Sequence, residues 1–202
     1  RARPRVVPRG TAVAGGFDGS DTDDWTTIRL QTEDGYQFTP TYGPDRRPCI
    51  WNPAEHGGQV PRLEVAAAME EINEVYHLVR LYYDPPGWKT EGQDWEARFG
   101  EKVVIRWETY RLTQMHAAAV RLHTDVVKAD TGFTHDGDDQ IAIMVRNARK
   151  LARPGMRYVL GKPSQQQKID GVISSILANE AAGDVTAAGL WAKPTEAFAY
   201  SA

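Results

Sequence analysis

Residues Thr11–Tyr42 read TAVAGGFDGSDTDDWTTIRLQTEDGYQFTPTY, and this stretch decides the fold class. Three runs of strand-forming residues lie in it: Thr11–Asp18, Trp25–Thr32 and Tyr36–Tyr42. Glu33-Asp34-Gly35, between the last two, is a tight-turn signal. No link among the three runs is long enough for a crossover helix, so they are expected to form an antiparallel meander.

Downstream the pattern alternates. Asp45–Gln59 is rich in Pro and Gly and reads as a loop. Pro61–His77 places Val65, Met69, Ile72 and Tyr76 on one helical face, with Pro61 suited to the first turn. Leu78–Tyr83 is a strand that ends on Asp84 before Pro85-Pro86-Gly87. Thr90 and Gln93 form a capping box for a helix to Phe99, then Lys102–Trp107 is a strand and Leu112–Lys128 a helix. Asp138 is expected to cap a helix reaching Leu151, with Ile141, Met144, Val145 and Ala148 inward. Arg157–Leu160 reads as a short edge strand. Ser164 and Gln167 form a second capping box, ahead of a last helix stopped at Gly183.

The expected architecture is α/β: a mixed sheet, with an antiparallel three-strand meander plus parallel strands, and helices on both faces. Residues 1–10, opening RARPRVVPR, are a basic linker or tail, 11–183 one domain, and 184–202 a C-terminal tail. Arg1 rather than Met opens the chain, as in a processed chain or an excised domain.

Composition narrows the function classes. Of 202 residues, 41% are hydrophobic and 25% charged, as in ordinary globular proteins. No apolar run approaches the roughly 18 residues of a membrane span, and no signal peptide opens the chain. One cysteine, Cys49, excludes an internal disulfide and a cysteine-rich zinc site, and suits a reducing cytoplasm. The net charge of −3 argues against a uniformly basic nucleic-acid binder. Its distribution argues otherwise: Gln140–Ile169 holds seven of the 24 basic residues and none of the 27 acidic ones. A positive strip beside an acidic remainder suits a protein whose carboxylates hold metal while a neighbouring surface holds phosphates.

Three aspartates stand where element ends would present them to a common point. Asp18 ends the first strand, Asp84 ends the fourth, and Asp170 lies early in the last helix. Singly each has an ordinary role, as turn cap, residue before a Pro-Pro stop, or helix-dipole partner. Together they would repel one another unless a cation sits between them. Oxygen ligands without His or Cys select Mg²⁺ or Mn²⁺. Two such ions suit phosphodiester hydrolysis.

Four segments carry a family resemblance: GFDGSDTDDWT (16–26), LYYDPPGW (81–88), HDGDDQIAIMVRNAR (135–149) and KIDGVISSILANEA (168–181). In this order they resemble the nuclease domain of bacteriophage large terminase subunits, over roughly Val13–Glu180. The resemblance implies an RNase H-like fold and two-metal cutting of double-stranded DNA during genome packaging. Asp18, Asp84 and Asp170 are then the catalytic acids and metal ligands, with Asp18 bridging both ions. It also implies an ATPase motor domain of the same polypeptide, a portal and a small terminase subunit as partners, and the cytoplasm of an infected bacterial host. Family members often carry Glu where Asp84 stands. The motor is expected to be absent from this stretch, which has no GxxxxGK[ST] motif.

Asp21, Asp23 and Asp24 read as turn residues, with Asp24 open to a ligand role. His135-Asp136-Gly137-Asp138-Asp139 lacks the EF-hand ligand series and reads as a capped helix start. Arg146, Arg149, Lys150 and Arg153 fall at helical spacing opposite the apolar face. With Lys162 and Lys168 they are the expected DNA contacts, against the alternative of a solvated basic face. Two other readings stay open: another RNase H-like nuclease (a Holliday-junction resolvase or transposase core), and a non-catalytic DNA-docking module of a packaging machine.

Overall fold

The computed structural model describes residues 1–191. The elements run β1 (Ala12–Asp18), β2 (Thr26–Thr32), β3 (Tyr36–Phe38), β4 (Thr41–Tyr42), β5 (Arg47–Pro48) and β6 (Ile50–Trp51). A 3₁₀ turn (Pro53–His56), α1 (Arg62–Val75), β7 (His77–Tyr83), α2 (Lys89–Phe99), β8 (Val104–Arg106) and α3 (Leu112–Val127) follow. The chain closes with β9 (Thr134–His135), α4 (Asp139–Asn147), β10 (Arg149–Arg153), β11 (Arg157–Gly161) and α5 (Asp170–Ala187). Among the described residues, no helix is long and apolar enough to cross a membrane.

The main sheet has the order β8-β7-β1-β2-β3-β9, with β6 also on β2. β1, β2 and β3 pair antiparallel, as the meander requires, while β7 lies parallel to β1 and β8 parallel to β7. This is the mixed sheet expected from the sequence. Alternation along β1 sends Val13 and Phe17 into a core with α1, Trp88 and Trp95. Ala14 enters a second core with α3, α4 and α5. Gly16 faces the same side. A Cβ there would lie 2.2 Å from the Ser174 carbonyl oxygen and 2.5 Å from the Ala178 nitrogen, so glycine is what lets α5 rest directly on the central strand.

Several expectations are corrected. Asp45–Gln59 is not a bare loop: it carries β5, β6 and the 3₁₀ turn, and buries Cys49 and Trp51 completely. Trp51 Nε1 donates to the Tyr42 hydroxyl at 2.9 Å, so an indole excluded from water keeps its partner. Neither capping box forms at a helix start. Trp88 and Ile169 occupy the N-cap positions of α2 and α5 without side-chain caps, and Ser164 reaches Gln167 within a turn ahead of α5. Asp138 does cap α4, accepting from the Gln140 and Ile141 N–H groups. Val145 is 56% exposed rather than inward. α5 passes through Gly183 to Ala187, so the boundary expected there falls inside a helix; a Cβ at Gly183 would strike the Arg121 guanidinium. The rest of the expected tail, from residue 192, lies outside the described residues.

The N-terminal stretch docks on the sheet. The Arg3 N–H donates to the His135 carbonyl at 2.8 Å, and Arg5 pairs with Asp34 at 2.7 Å while lying over the Tyr36 ring.

Candidate metal centre and nucleic-acid interface

Asp18 and Asp84 come to one edge because β1 and β7 are parallel neighbours, with Phe17 opposite Tyr83 as the last pair. Period-two alternation puts Asp18 on the same face as Gly16, toward α5. The first residue of α5 is Asp170, only 7% exposed. Thr27, opposite Asp18 in β2, donates to Ser174 Oγ at 2.8 Å and ties this helix to the sheet edge.

The electrostatics show what the fold has brought together. Burial, then the charges of Asp170, Asp84 and Asp24, push the Asp18 carboxyl well above its ordinary pKa, against the pull of Lys162. Asp170 is pushed up to about 6, first by burial and then by the charge of Asp24, with backbone N–H groups and Lys162 opposing. Asp84 is raised by burial, although Thr109 opposes it. Thr109 gives Asp84 both its N–H, at 3.3 Å, and its hydroxyl. Sequence reasoning missed Thr109, which sits in a connection with no motif to mark it.

One atom tests whether a cation fits. Asp170 Oδ2 is buried and has no hydrogen-bond partner, which is costly for an ionised carboxylate in a folded protein. All the donors gathered here are carboxylate oxygens, the set that suits Mg²⁺ or Mn²⁺. Among the described residues, no three His, Cys, Asp or Glu side chains are close enough to enclose an ion unaided. That agrees with Mg²⁺ chemistry, in which one or two carboxylates suffice and water fills the remaining shell. Asp84, held by Thr109, is the outer member of the trio.

The basic strip is rearranged. α4 ends at Asn147, where Ala148 turns extended, and the Arg149 guanidinium donates to the carbonyls of residues 146–148. Asn147 Nδ2 donates to the Lys168 carbonyl at 3.0 Å. Residues 149–153 then form β10, which pairs with β11 in a separate two-stranded hairpin. The helical face expected for Arg146, Arg149, Lys150 and Arg153 therefore does not exist. Arg146 ends α4, whereas Arg149 and Arg153 share one strand face and Lys150 takes the other, lying 4.7 Å from the Tyr158 ring centre. Arg153 lines a cleft of about 360 Å³ together with Asp18, Thr109 and Ile173.

Lys162 and Lys168 are not free phosphate contacts in this arrangement, because both ammonium groups bond Asp24 Oδ1. Burial pushes the Asp24 carboxyl up, but these two bonds outweigh it and hold the pKa below the ordinary value. Asp24 is thereby held ionised and paired with two lysines beside the trio, and its charge still raises Asp18 and Asp170. The His135–Asp139 cluster is structural, as its sequence suggests: Asp136 pairs with buried Arg29 and Asp138 caps α4. His116 accepts the Tyr158 N–H at Nδ1, 3.1 Å away, and anchors the hairpin to α3.

Comparison with known proteins bears on the fold. No protein-family model matches the chain. The Gene 13 protein of Mycobacterium phage D29 is 26% identical over 182 residues, covering 85% of this chain. The chain spans 29% of that relative's length. The large terminase of bacteriophage HK97 superposes with a TM-score of 0.64 at 16% identity, over 89% of this chain and 41% of that one. The large terminase nuclease of thermophilic phage G20c, solved with bound magnesium, superposes with a TM-score of 0.62 at 15% identity, over 87% and 85%. The mixed sheet, its flanking helices and these superpositions establish that the chain has the RNase H-like fold of bacteriophage large terminase nuclease domains.

Proposed function

We propose that this chain is the nuclease part of a phage large terminase and cuts double-stranded DNA by hydrolysing phosphodiester bonds with Mg²⁺ or Mn²⁺. The observation that carries this reading is the buried, unpartnered Asp170 Oδ2 facing the charge of Asp18 at the end of the central strand. A fold shared with a nuclease solved with bound magnesium supports it.

Asp18, Asp84 and Asp170 would hold the ions, two of them on this reading, with Asp18 as the shared ligand. Ions bound there supply Lewis-acid activation of water and neutralise charge on the leaving oxygen. The protein's own part is positioning. Gly16 lets α5 approach so that Asp170 meets Asp18, Thr109 orients Asp84, and the two lysines keep Asp24 from adding a further unpaired charge. Arg153, in the same cleft as Asp18, holds a phosphate of the bound strand. The products carry 3′-hydroxyl and 5′-phosphate ends. The partners are an ATPase motor on the same polypeptide, a portal and a small terminase subunit, in the cytoplasm of the infected host.

Digestion of supercoiled plasmid tests the reading. Cutting appears with Mg²⁺ or Mn²⁺, more with Mn²⁺, and is absent with Ca²⁺ or EDTA. Undiminished cutting in EDTA after exhaustive dialysis contradicts it. Preference for four-way over linear DNA would mark a junction resolvase instead, and DNA binding without cutting a docking module.

A further inference from the structure

The β10–β11 hairpin ends in Arg153-Pro154-Gly155-Met156-Arg157, and three features of this tip are unfavourable for an isolated protein. Met156 is 99% exposed, more than any other large hydrophobic residue among those described. It also adopts a left-handed conformation, with φ 56°, directly after Gly155 at φ 75°. A non-glycine residue rarely accepts that backbone, and such strain persists where the surroundings enforce it. Arg153 and Arg157 are the closing cross-strand pair, so two like charges stand directly opposite each other. Such a pair destabilises a hairpin. No acid lies anywhere between Gln140 and Ile169 to offset it.

A single exposed apolar side chain is unremarkable on most surfaces. Here it is raised on a tip, flanked by two guanidinium groups, and aimed by a turn that fixes its direction. The hairpin is also braced from below. Tyr158 bonds His116 through its backbone N–H and meets that ring edge-on at 4.8 Å, while the ammonium of Lys150 lies over the other ring. Arg153 connects the tip to the cleft containing Asp18. A polyanion would turn the Arg–Arg repulsion into attraction, and a slender, polarisable thioether can enter a gap between stacked bases.

Resting on the nuclease reading above, we infer that Met156 is an apolar wedge that enters the DNA minor groove and partly unstacks one base step, with Arg153 and Arg157 gripping the flanking phosphates. Wedges of this kind kink the duplex toward the major groove. The kink would lay the backbone beside Arg153 over the cleft edge that holds Asp18, without any sequence being read.

The test uses a short duplex with 2-aminopurine at several central positions and fluorophores at both ends, in Ca²⁺ so that cutting does not intervene. The parent protein raises 2-aminopurine fluorescence and shortens the end-to-end distance by a kink of roughly 20–90°. Met156→Ala binds with the same salt dependence but loses the fluorescence rise and straightens the duplex. Met156→Leu restores both signals, which separates a wedge from a merely structural role. Arg153→Ala combined with Arg157→Ala lowers the salt slope by about 2 units, counting one phosphate each. Parent-like unstacking by Met156→Ala overturns the wedge, as does a parent protein that binds and cuts without unstacking. A parent that neither binds nor cuts duplex DNA overturns the nuclease reading itself.

Discussion

Two carboxylates on the same side of one sheet, Asp170 buried and Asp136 half-buried, meet opposite fates. Asp136 bonds both terminal nitrogens of Arg29, at 2.7 and 3.2 Å, and also accepts the Thr39 N–H at 2.6 Å. Burial pushes its pKa up, yet Arg29 and these donors outweigh burial and hold it below the ordinary value. Asp170 has backbone donors but no cation that offsets burial, and it is pushed up to about 6. Asp136 has its counter-charge within the fold, whereas Asp170 has none that offsets burial; on the proposed reading a bound cation would supply it. Buried charge is tolerated when it is paired, so an unpaired example marks a place where a ligand completes the structure.

Breaking the comparison at its functional member has the largest effect. Asp18→Asn, Asp84→Asn and Asp170→Asn each lower plasmid cutting by roughly a thousandfold or more, because each removes charge that must be in place when the phosphate reacts. Wild-type cutting by Asp170→Asn removes it from the site. The structural member responds in the opposite way. Asp136→Asn strands the Arg29 guanidinium, which is 1% exposed, and costs about 3 kcal/mol or more in denaturant unfolding.

Asp170→Asn, by contrast, stabilises the metal-free protein at neutral pH by up to about 3 kcal/mol, since a pKa unit is worth about 1.4 kcal/mol. The sign follows from proton binding. The folded state holds the Asp170 proton up to about pH 6, whereas the ordinary carboxyl releases it near 3.8. Its contribution to metal-free stability is therefore greatest below that lower value and is lost as pH rises to about 6. Thermal melts across that window flatten in Asp170→Asn, and an unchanged pH slope contradicts the assignment. The smallest effect lies on the hairpin. Changing Arg149 and Lys150 together to Ala flattens the log affinity against log salt slope by roughly 1 to 2 units. Divalent-ion binding stays unchanged, while the melting temperature falls slightly because Arg149 no longer caps the α4 carbonyls and Lys150 no longer lies over Tyr158; an unaltered slope would place the DNA elsewhere.

Much of this was legible in the chain. The meander showed itself because short links forbid a crossover, and Asp18 and Asp84 because each ends a β-run at a break. Asp170 stood out only through its place at the start of a long apolar helix. Other features were hidden for physical reasons. Arg146–Arg153 has helical spacing, but the Pro154-Gly155 turn and the carbonyl-capping Arg149 end the helix early and turn the rest into a strand. Ser164 and Gln167 satisfy a capping pattern locally, yet packing of α5 on Gly16 sets where that helix begins. Thr109, and the capture of Lys162 and Lys168 by Asp24, depend on contacts between distant parts of the chain that no spacing rule reveals.

On the proposed reading the unpaired acids form a cation site and the paired ones do not. Titration of Mn²⁺ into the metal-free protein at neutral pH, followed by calorimetry or by the paramagnetic signal of the free ion, measures this directly. The parent binds Mn²⁺, Asp170→Asn loses at least about tenfold in affinity, as expected when a site is left with fewer carboxylate ligands, and folded Asp136→Asn binds like the parent. Equal Mn²⁺ affinity in the parent and Asp170→Asn would contradict the account.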